Sequence, residues 1–585
     1  MRYYADVVES RDLLDIGARL SEIAGHLAIE QARGRHAPAA DLARDGLILA
    51  GMREQAIADC GPPGPAVLSA QMRTDWWADQ LMRVTLDPSE HGGSRDTRSS
   101  LPTSALNCSE PSVHLFADLG KLPTVIPEGY LFYGLFPDVY GVLGRALAGG
   151  WTGRPVVVVG VRSIGTSLSA AVSAGLRLGG CPVVRYSIRP SGDPFQRELV
   201  PNQALLDQWR KAAARGAQFV AVDEGPGLSG SSLAAVVEVF RRAGSAERVT
   251  ILCADPPNHL PQASDAIRRQ WETTSVHPAR PLIEALLRKK LTGLLSGSTG
   301  LPLTVIRDLS WGGWSAATLP ILPQQERRKL LLWDGERQVL AKFVGFGEHG
   351  HLKARLAQRL GAEGLSPAYR GFAHGFLLLN WEGDSGATRQ AVFDAAPRYY
   401  AYLRRHCPAT VGIDFGDLER IVEDTGTAWL GRSHAGLVRR LARAAAGADP
   451  RALLGDQRPE PGEWVGRGSA IVKCDAADHF LDHSWARHQD IAFDLAGFLD
   501  LWAITDRERR ALLASYVSHG ADPGLYARLP FYRAVFAAHR LARLDTAYHA
   551  DGPGQESAVE AERSRMGQIL AAALTEQPGA TCASS

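Results

Sequence analysis

The chain has 585 residues, of which 45% are hydrophobic and 22% charged, so its composition is that of a globular protein with several domains. Its 64 Lys and Arg residues nearly cancel its 63 Asp and Glu residues, which excludes an overall field that favours nucleic acid or an anionic membrane. The seven cysteines form no Cys-x-x-Cys pair, and no apolar run approaches the roughly 20 residues of a membrane span. We therefore expect a cytoplasmic protein with free thiols and small-molecule substrates, and without nucleic-acid or membrane partners. A homo-oligomer is left open.

The first 100 residues are predicted to form a small helical module followed by a loop. Apolar residues recur at spacings of three and four from Leu13 to about Cys60, as on one face of a helix. Residues 91–100 are polar and contain two glycines, which is typical of an exposed loop.

Residues 101–256 alternate between short apolar runs and helical patterns. Strands are predicted at 156–159, 183–187, 219–222 and 249–253, and helices at 166–178 and 233–242. This alternation predicts the α/β class with a doubly wound parallel sheet. The following stretch at 257–300, with 275–281 in it, is predicted to be a linker.

The most distinctive segment of this domain is a turn rich in acids, glycines and serines that follows the strand at 219–222. Asp223 and Glu224 stand at the carboxyl end of that strand, where they could accept hydrogen bonds from ribose hydroxyls or hold Mg²⁺. Backbone N–H groups at the start of the next helix favour a phosphate. The candidate phosphate-binding residues of this turn are Gly227, Ser229, Gly230, Ser231 and Ser232.

A second turn of the same kind follows the strand at 156–159, and its candidate ligand residues are Arg162, Ser163 and Gly165. Because both turns follow parallel strands, we expect them to share one crevice at the sheet edge, where a doubly phosphorylated ligand would lie. The alternative is that the acidic pair merely caps the helix after it.

These two turns resemble those of the type I phosphoribosyltransferases over residues 125–255. The resemblance implies that Asp223 and Glu224 act in catalysis, that the serine turn binds the 5-phosphate of phosphoribosyl pyrophosphate, and that residues 162–165 bind its pyrophosphate. Arg189 and Arg197, with Arg185, fall where that family has a mobile hood and could clamp pyrophosphate. The turn departs from the family in being one residue longer and in carrying Pro226.

A second domain is predicted at 301–550, with a helix and tail at 551–585. Residues 330–344 are predicted to form a β-hairpin that turns at Asp334 and Gly335 and carries Lys342 on its second strand. Gly312 and Gly313 lie upstream, in a glycine turn that could cover a nucleotide. This order resembles the small lobe and hinge of kinase-like folds, which predicts a two-lobed α+β domain. Lys342 alone is more often a solvated residue at a strand edge.

Three later segments, at 454–465, 470–475 and 489–498, resemble the aminoglycoside phosphotransferase type of kinase. The resemblance implies that Asp456 orients the acceptor hydroxyl, that Lys342 contacts ATP phosphates, and that Glu463 and Asp475 bind Mg²⁺. Leu454 replaces the family's histidine, and Glu463 replaces its asparagine. We assign Asp490 and Asp494 to a structural network. A separate transition-metal site at 475–488, which is rich in His and Asp, is the less economical alternative.

The sequence thus predicts a bifunctional enzyme. One domain would transfer a phosphoribosyl group from phosphoribosyl pyrophosphate to a small nitrogenous acceptor, and the other would phosphorylate a small-molecule hydroxyl with ATP and Mg²⁺. The alternative is a regulator that binds phosphoribosyl pyrophosphate or a nucleotide, with one or both domains unable to turn over.

Overall fold

A computed structural model describes residues 8–60, 64–86, 120–245, 248–255, 260, 262–310, 327–383, 387–467, 470–478, 488–502, 504–550 and 556–575. The strands are β1 (Val8–Asp12), β2 (Lys121–Val125), β3 (Val156–Val161), β4 (Val183–Ile188), β5 (Ser191–Asp193), β6 (Gln196–Glu198), β7 (Gln218–Val222), β8 (Val249–Cys253), β9 (Ser275–Pro278), β10 (Thr304–Asp308), β11 (Lys329–Trp333), β12 (Gln338–Phe343), β13 (Tyr369–Ala373), β14 (Phe376–Asn380), β15 (Trp464–Arg467) and β16 (Ala470–Lys473). The helices are α1 (Leu13–Ala32), α2 (His36–Cys60), α3 (Pro65–Thr85), α4 (Glu128–Leu131), α5 (Pro137–Ala148), α6 (Gly165–Leu178), α7 (Gln203–Ala214), α8 (Ser231–Arg242), α9 (Asp265–Glu272), α10 (Arg280–Thr299), α11 (Gly347–Ala362), α12 (Arg389–His406), α13 (Phe415–Leu430), α14 (Ala435–Ala446), α15 (Ile491–Leu501), α16 (Asp506–Gly520), α17 (Leu525–Ala550) and α18 (Glu556–Thr575).

The first half of the chain contains a five-stranded parallel sheet in the order β4-β3-β7-β8-β9. Every residue of β3, β7 and β8 is buried, because helices cover both faces, and this explains their continuously apolar sequences. Helices α5 and α6 pack on one face, and α7 and α8 pack on the other. The predicted α/β class with a doubly wound sheet is confirmed.

The structure corrects the prediction that residues 257–300 form a linker. Strand β9 lies parallel to β8 as an edge strand, with Thr250 opposite Ser275, and α10 follows it. The short β9 is half-exposed and has Val276 as its one aliphatic side chain, so it lacks the apolar run that marks a central strand.

A five-stranded antiparallel sheet in the order β10-β11-β12-β14-β13 opens the second half. The predicted hairpin is confirmed as β11 and β12, and the Asp334 carboxylate accepts the backbone N–H groups of Glu336 and Arg337 in its turn. Val339, Ala341 and Phe343 of β12 point into the same hydrophobic core as helices α1 and α2. The alternate residues of β12 therefore face the opposite side, where the cleft lies.

Helices α1 and α2 confirm the predicted helical module, but they do not stand apart. One continuous core joins them to one face of the parallel sheet and to one face of the antiparallel sheet. Arg44 of α2 is buried at this junction, with its guanidinium 3.2 Å from the Asp138 carboxylate and 3.2 Å from His374 Nδ1. The predicted domain boundaries stay predictions.

A second core fills the helical part of the C-terminal half and contains residues of α12 to α18. Asp490 caps the start of α15, and Arg528 Nε donates to its Oδ1 over 2.9 Å. Arg404 lies 3.4 Å from its other oxygen, so Asp490 belongs to a structural network, as predicted. Within the described residues, no helix has the length and apolarity needed to cross a membrane.

Candidate active site

The two predicted turns lie side by side at the carboxyl edge of the parallel sheet. Strands β3 and β7 are neighbours, with Gly160 opposite Val222, so the turns that follow them meet. A Cβ atom on Gly165 would lie 2.7 Å from the Val222 carbonyl oxygen, which means that the two backbones are in contact. The predicted crevice would therefore lie between the two turns.

Asp223 and Glu224 both lie in the crevice, where part of each side chain is exposed. Even so, the protein packed around the carboxyl groups raises the pKa of Asp223 to about 7. Burial also raises the pKa of Glu224 well above its ordinary value, with the charges of Glu128 and Asp223 adding to the effect. The raised pKa values favour the protonated forms of both acids, which disfavours them as ligands of a cation in this arrangement.

The arginines expected at the phosphates instead donate hydrogen bonds to other parts of the protein, mainly to helix α2. Arg162 and Arg189 both donate to the Asp59 carboxylate at the end of α2, over 3.0 and 2.7 Å. Arg197 donates to the Gly192 carbonyl inside the β5–β6 hairpin, and Arg185 is buried in an ion pair with Glu54. In this structure these side chains contact protein groups, and their role at a ligand stays a prediction. The sequence could not show the contacts with Asp59 and Glu54, because these partners lie far away along the chain.

The serine turn is closed by the same hairpin. The hydroxyl groups of Ser229 and Ser231 both donate to the Pro194 carbonyl, over 3.2 and 2.8 Å, instead of facing the crevice. Gly230 precedes α8 with φ +66°, and a Cβ there would lie 2.4 Å from Trp271 Nε1, so only glycine fits. Ser232 lies in the first turn of α8, and Gly227 also has positive φ. Ser163 lies in the other turn, beside Arg162.

In the C-terminal half, Lys342 projects from β12 into a cleft and contacts Asp475, which follows the β15–β16 hairpin. Its Nζ also lies 2.8 Å from Asp478, and Lys353 of α11 lies 2.8 Å from the other oxygen of Asp478. Burial by itself would lower the pKa of Lys342, but the two carboxylates hold it above its ordinary value. The cleft therefore holds two buried ammonium groups against two carboxylates.

Asp456 lies deeper in this half and is fully buried. Lys473 Nζ is 2.8 Å from its Oδ2, and the Tyr399 hydroxyl donates to the same oxygen over 3.1 Å. The backbone N–H of Arg458 donates to its Oδ1. Burial, followed by the charge of Asp456, raises the pKa of nearby Asp494 well above its ordinary value.

Glu463, a predicted metal ligand, also contacts protein cations. Its carboxylate lies 3.8 Å from Lys473 Nζ and 3.7 Å from Arg458 Nε, and it accepts the Cys474 thiol at 3.5 Å. Within the described part of the chain, no three His, Cys, Asp or Glu side chains are grouped as a metal site. The predicted Mg²⁺ ligands Glu463 and Asp475 thus face lysines, and in this arrangement they do not fit a divalent ion.

The cleft beneath β12 is narrow. It contains a cavity of about 20 Å³ between Lys342, Leu379 and Asp475, which is room for roughly one water molecule. A larger cavity of about 160 Å³ lies between α1, α2 and the start of α11.

Two of the predicted site features lie outside the described residues: the glycine turn of Gly312 and Gly313, and most of the His- and Asp-rich stretch at 475–488.

Three important residues of this cleft were missed in the sequence: Lys353, Lys473 and Asp478. Lys353 falls on the buried face of α11 between apolar positions, and Lys473 ends a strand whose inward positions are apolar. A lysine in register with buried residues is the signal that could have revealed them, because a buried ammonium group needs a partner.

No protein-family model and no curated protein sequence matches the chain. Among solved structures, it is similar to a choline kinase from Cryptosporidium parvum at 8% identity, covering 50% of this chain and 97% of that one with a TM-score of 0.29. A choline/ethanolamine kinase family protein from Mesorhizobium loti has 16% identity and a TM-score of 0.33, with coverage of 50% and 97%. An ethanolamine kinase from Plasmodium vivax has 10% identity and a TM-score of 0.30, with coverage of 53% and 93%. Similarity at this level assigns neither fold nor activity, so the chemistry rests on the residues of the two clefts.

Proposed function

We propose that the C-terminal half is an ATP-dependent phosphotransferase that acts on a hydroxyl group of a small molecule. The observation that carries this proposal is the contact between Lys342, on the third strand of the antiparallel sheet, and Asp475, directly after a later hairpin. Kinases place a phosphate-binding lysine on the third strand and a metal-binding aspartate at the opposite side of the same cleft.

In this proposal Asp456 orients the acceptor hydroxyl, and Lys342 contacts the ATP phosphates. Positioning and charge neutralisation are the main sources of catalysis in phosphoryl transfer. Asp456 would have to exchange its Lys473 partner for the acceptor, and the narrow cavity would have to open for the nucleotide. The Mg²⁺ implied by the sequence would arrive bound to ATP, because the protein's carboxylates already contact lysines.

The test is ATP consumption with a panel of hydroxyl compounds that includes choline and ethanolamine. Lys342→Met should lower the rate by about 100-fold, because it removes the charge that faces the phosphates. Lys290→Met, on the exposed side of α10, is the matched control and should leave the rate unchanged. ATP consumption that survives both Lys342→Met and Asp456→Asn would remove the assignment.

We further propose that the crevice of the first half binds phosphoribosyl pyrophosphate and transfers its phosphoribosyl group to a small nitrogenous acceptor. The support is the meeting of the two turns beside the largely buried acids Asp223 and Glu224. Pyrophosphate release should depend on a nucleobase-like acceptor and should stop in the double variant Asp223→Ala, Glu224→Ala. Binding without release that depends on the acceptor would contradict transfer.

A regulator is the second candidate, and the closed ion pairs favour it. Arg162 and Arg189 are held by Asp59, and Asp456 is held by Lys473, so both clefts keep their polar groups engaged inside the protein. A regulator would bind phosphoribosyl pyrophosphate without releasing pyrophosphate, and this binding would change the affinity for ATP. Equilibrium dialysis of labelled ATP with and without phosphoribosyl pyrophosphate separates the two candidates.

A further inference from the structure

Lys473 occupies a position that no motif assigned to it. It ends strand β16, its side chain is fully buried, and its ammonium lies 2.8 Å from Asp456 and 3.8 Å from Glu463. Its ammonium therefore lies near Glu463, one of the two carboxylates to which the resemblance to phosphotransferases assigns Mg²⁺. The neighbouring residue Cys474 directs its thiol to the same Glu463 carboxylate.

The carboxylates that could hold a metal in this cleft already lie beside cationic side chains. Among the described residues, four carboxylates of the cleft pair with four cationic side chains. The carboxylates are Asp456, Glu463, Asp475 and Asp478, and the cations are Lys342, Lys353, Lys473 and Arg458. The affinity of an oxygen site for a divalent cation rises with its net negative charge, and the Lys473 ammonium reduces that charge between Asp456 and Glu463. A divalent ion added between these two carboxylates would also lie beside the buried ammonium, which is costly.

We propose that the ammonium of Lys473 takes the place of a divalent cation between Asp456 and Glu463, so that this pair of carboxylates holds no metal ion in the native protein. Removing the ammonium uncovers a metal site made of the same two side chains. The charge that the protein presents to the phosphates of a nucleotide in this cleft then comes from lysines. This inference deepens the proposed phosphotransferase function and rests on it only for the identity of the nucleotide.

The experiment titrates the full chain with Mn²⁺ and follows the free ion by its electron paramagnetic resonance signal. The native protein should show no saturable site, whereas Lys473→Met, which keeps the side-chain length and removes the charge, should gain one of at least tenfold higher affinity, on the order expected for two added carboxylate charges. Lys290→Met is the exposed control and should behave like the native protein. Adding Glu463→Gln to Lys473→Met should abolish the new site, which places it at this pair.

Two results would overturn the inference. The first is tight Mn²⁺ binding by the native protein that Glu463→Gln weakens. The second is a folded Lys473→Met variant that gains no Mn²⁺ site. If Lys473→Met does not fold, the native titration with and without Glu463→Gln still decides. Binding of labelled ATP together with Mg²⁺ to the native protein tests the nucleotide separately. If no ATP binds but the Mn²⁺ pattern is as described, the phosphotransferase proposal fails and the role of Lys473 stands.

Discussion

The two clefts of this molecule keep acidic side chains away from water in opposite ways. In the crevice of the parallel sheet, burial raises the pKa values of Asp223 and Glu224, so protons neutralise them. In the C-terminal cleft, lysines neutralise Asp456 and Asp475 and are themselves held in the charged form. The protons on the acids of the first cleft are lost as the pH rises towards their pKa values. The lysines of the second cleft keep their positive charge over the same range. The first cleft should therefore respond to pH near neutrality, whereas the lysine-paired carboxylates Asp456 and Asp475 of the second should not.

The largest effect is expected where a charge would lose its partner. Asp456→Ala leaves the buried Lys473 ammonium with Glu463 at 3.8 Å as its remaining carboxylate, and should cost about 3 to 5 kcal/mol of stability in the C-terminal half. Asp394→Ala, on the exposed side of α12, should cost less than about 0.5 kcal/mol. Thermal unfolding followed by tryptophan fluorescence measures both. Equal losses of stability in the two variants would show that the ion pair between Asp456 and Lys473 does not stabilise the C-terminal half.

The contact between the two turns of the first cleft gives the next effect. Gly165→Ala places a methyl group 2.7 Å from the Val222 carbonyl, and the backbone shift should cost about 1 to 3 kcal/mol. Gly293→Ala, in α10, meets no atom within 4 Å and should instead stabilise the protein by up to about 1 kcal/mol. Urea unfolding compares the two variants. If Gly165→Ala were as stable as Gly293→Ala, the turns would not be in tight contact.

The response of the first cleft to pH can be tested at Asp223. Its pKa is about 4 in the unfolded chain and about 7 in the folded one, so the folded state binds more protons between these values and loses stability as the pH rises. Asp223→Asn cannot ionise, so it should gain about 1 to 2 kcal/mol relative to the native protein between pH 5 and pH 8, a value reduced for the exposed part of the side chain. Glu224→Gln should change in the same direction. A difference from the native protein that is constant across this range would contradict the proton-based neutralisation.

The smallest effect is expected at Asp59, which holds two arginines at the rim of the first cleft. Asp59→Ala should free Arg162 and Arg189 and tighten the binding of pyrophosphate by about threefold to fivefold, since exposed ion pairs contribute at most about 1 kcal/mol. Asp79→Ala breaks a similar pair with Arg177 on another surface and is the matched control. Isothermal titration calorimetry with pyrophosphate gives both affinities. Unchanged affinity in Asp59→Ala would remove these arginines from the candidate site.

The sequence predicted the elements of the first half well because its central strands are buried on both faces. Such strands are continuous apolar runs, and each predicted strand was confirmed within two residues, as at Val156–Val161. The edge strand β9 was missed because its side chains are half-exposed. Sequence analysis therefore detects central strands and misses edge strands, because the continuous apolar run that it recognises arises only where both faces of a strand are buried.

The candidate sites were predicted less completely, because the chemistry depends on contacts between distant residues. Asp456 and Lys342 were identified by their motifs, but the partner of Lys353 lies 125 residues away along the chain. The same is true of Arg162, whose partner Asp59 is 103 residues away. Local spacing predicts which groups lie near a cleft, but whether they face a ligand or one another depends on the tertiary fold.

The core that α1 and α2 share with the antiparallel sheet makes the helical module a structural support for the second half. A fragment that began at residue 301 would carry a sheet with one face bare, including Leu332, Val339 and Phe343. Such an exposed apolar face favours aggregation. Truncation before residue 301 would therefore separate the antiparallel sheet from half of its own core.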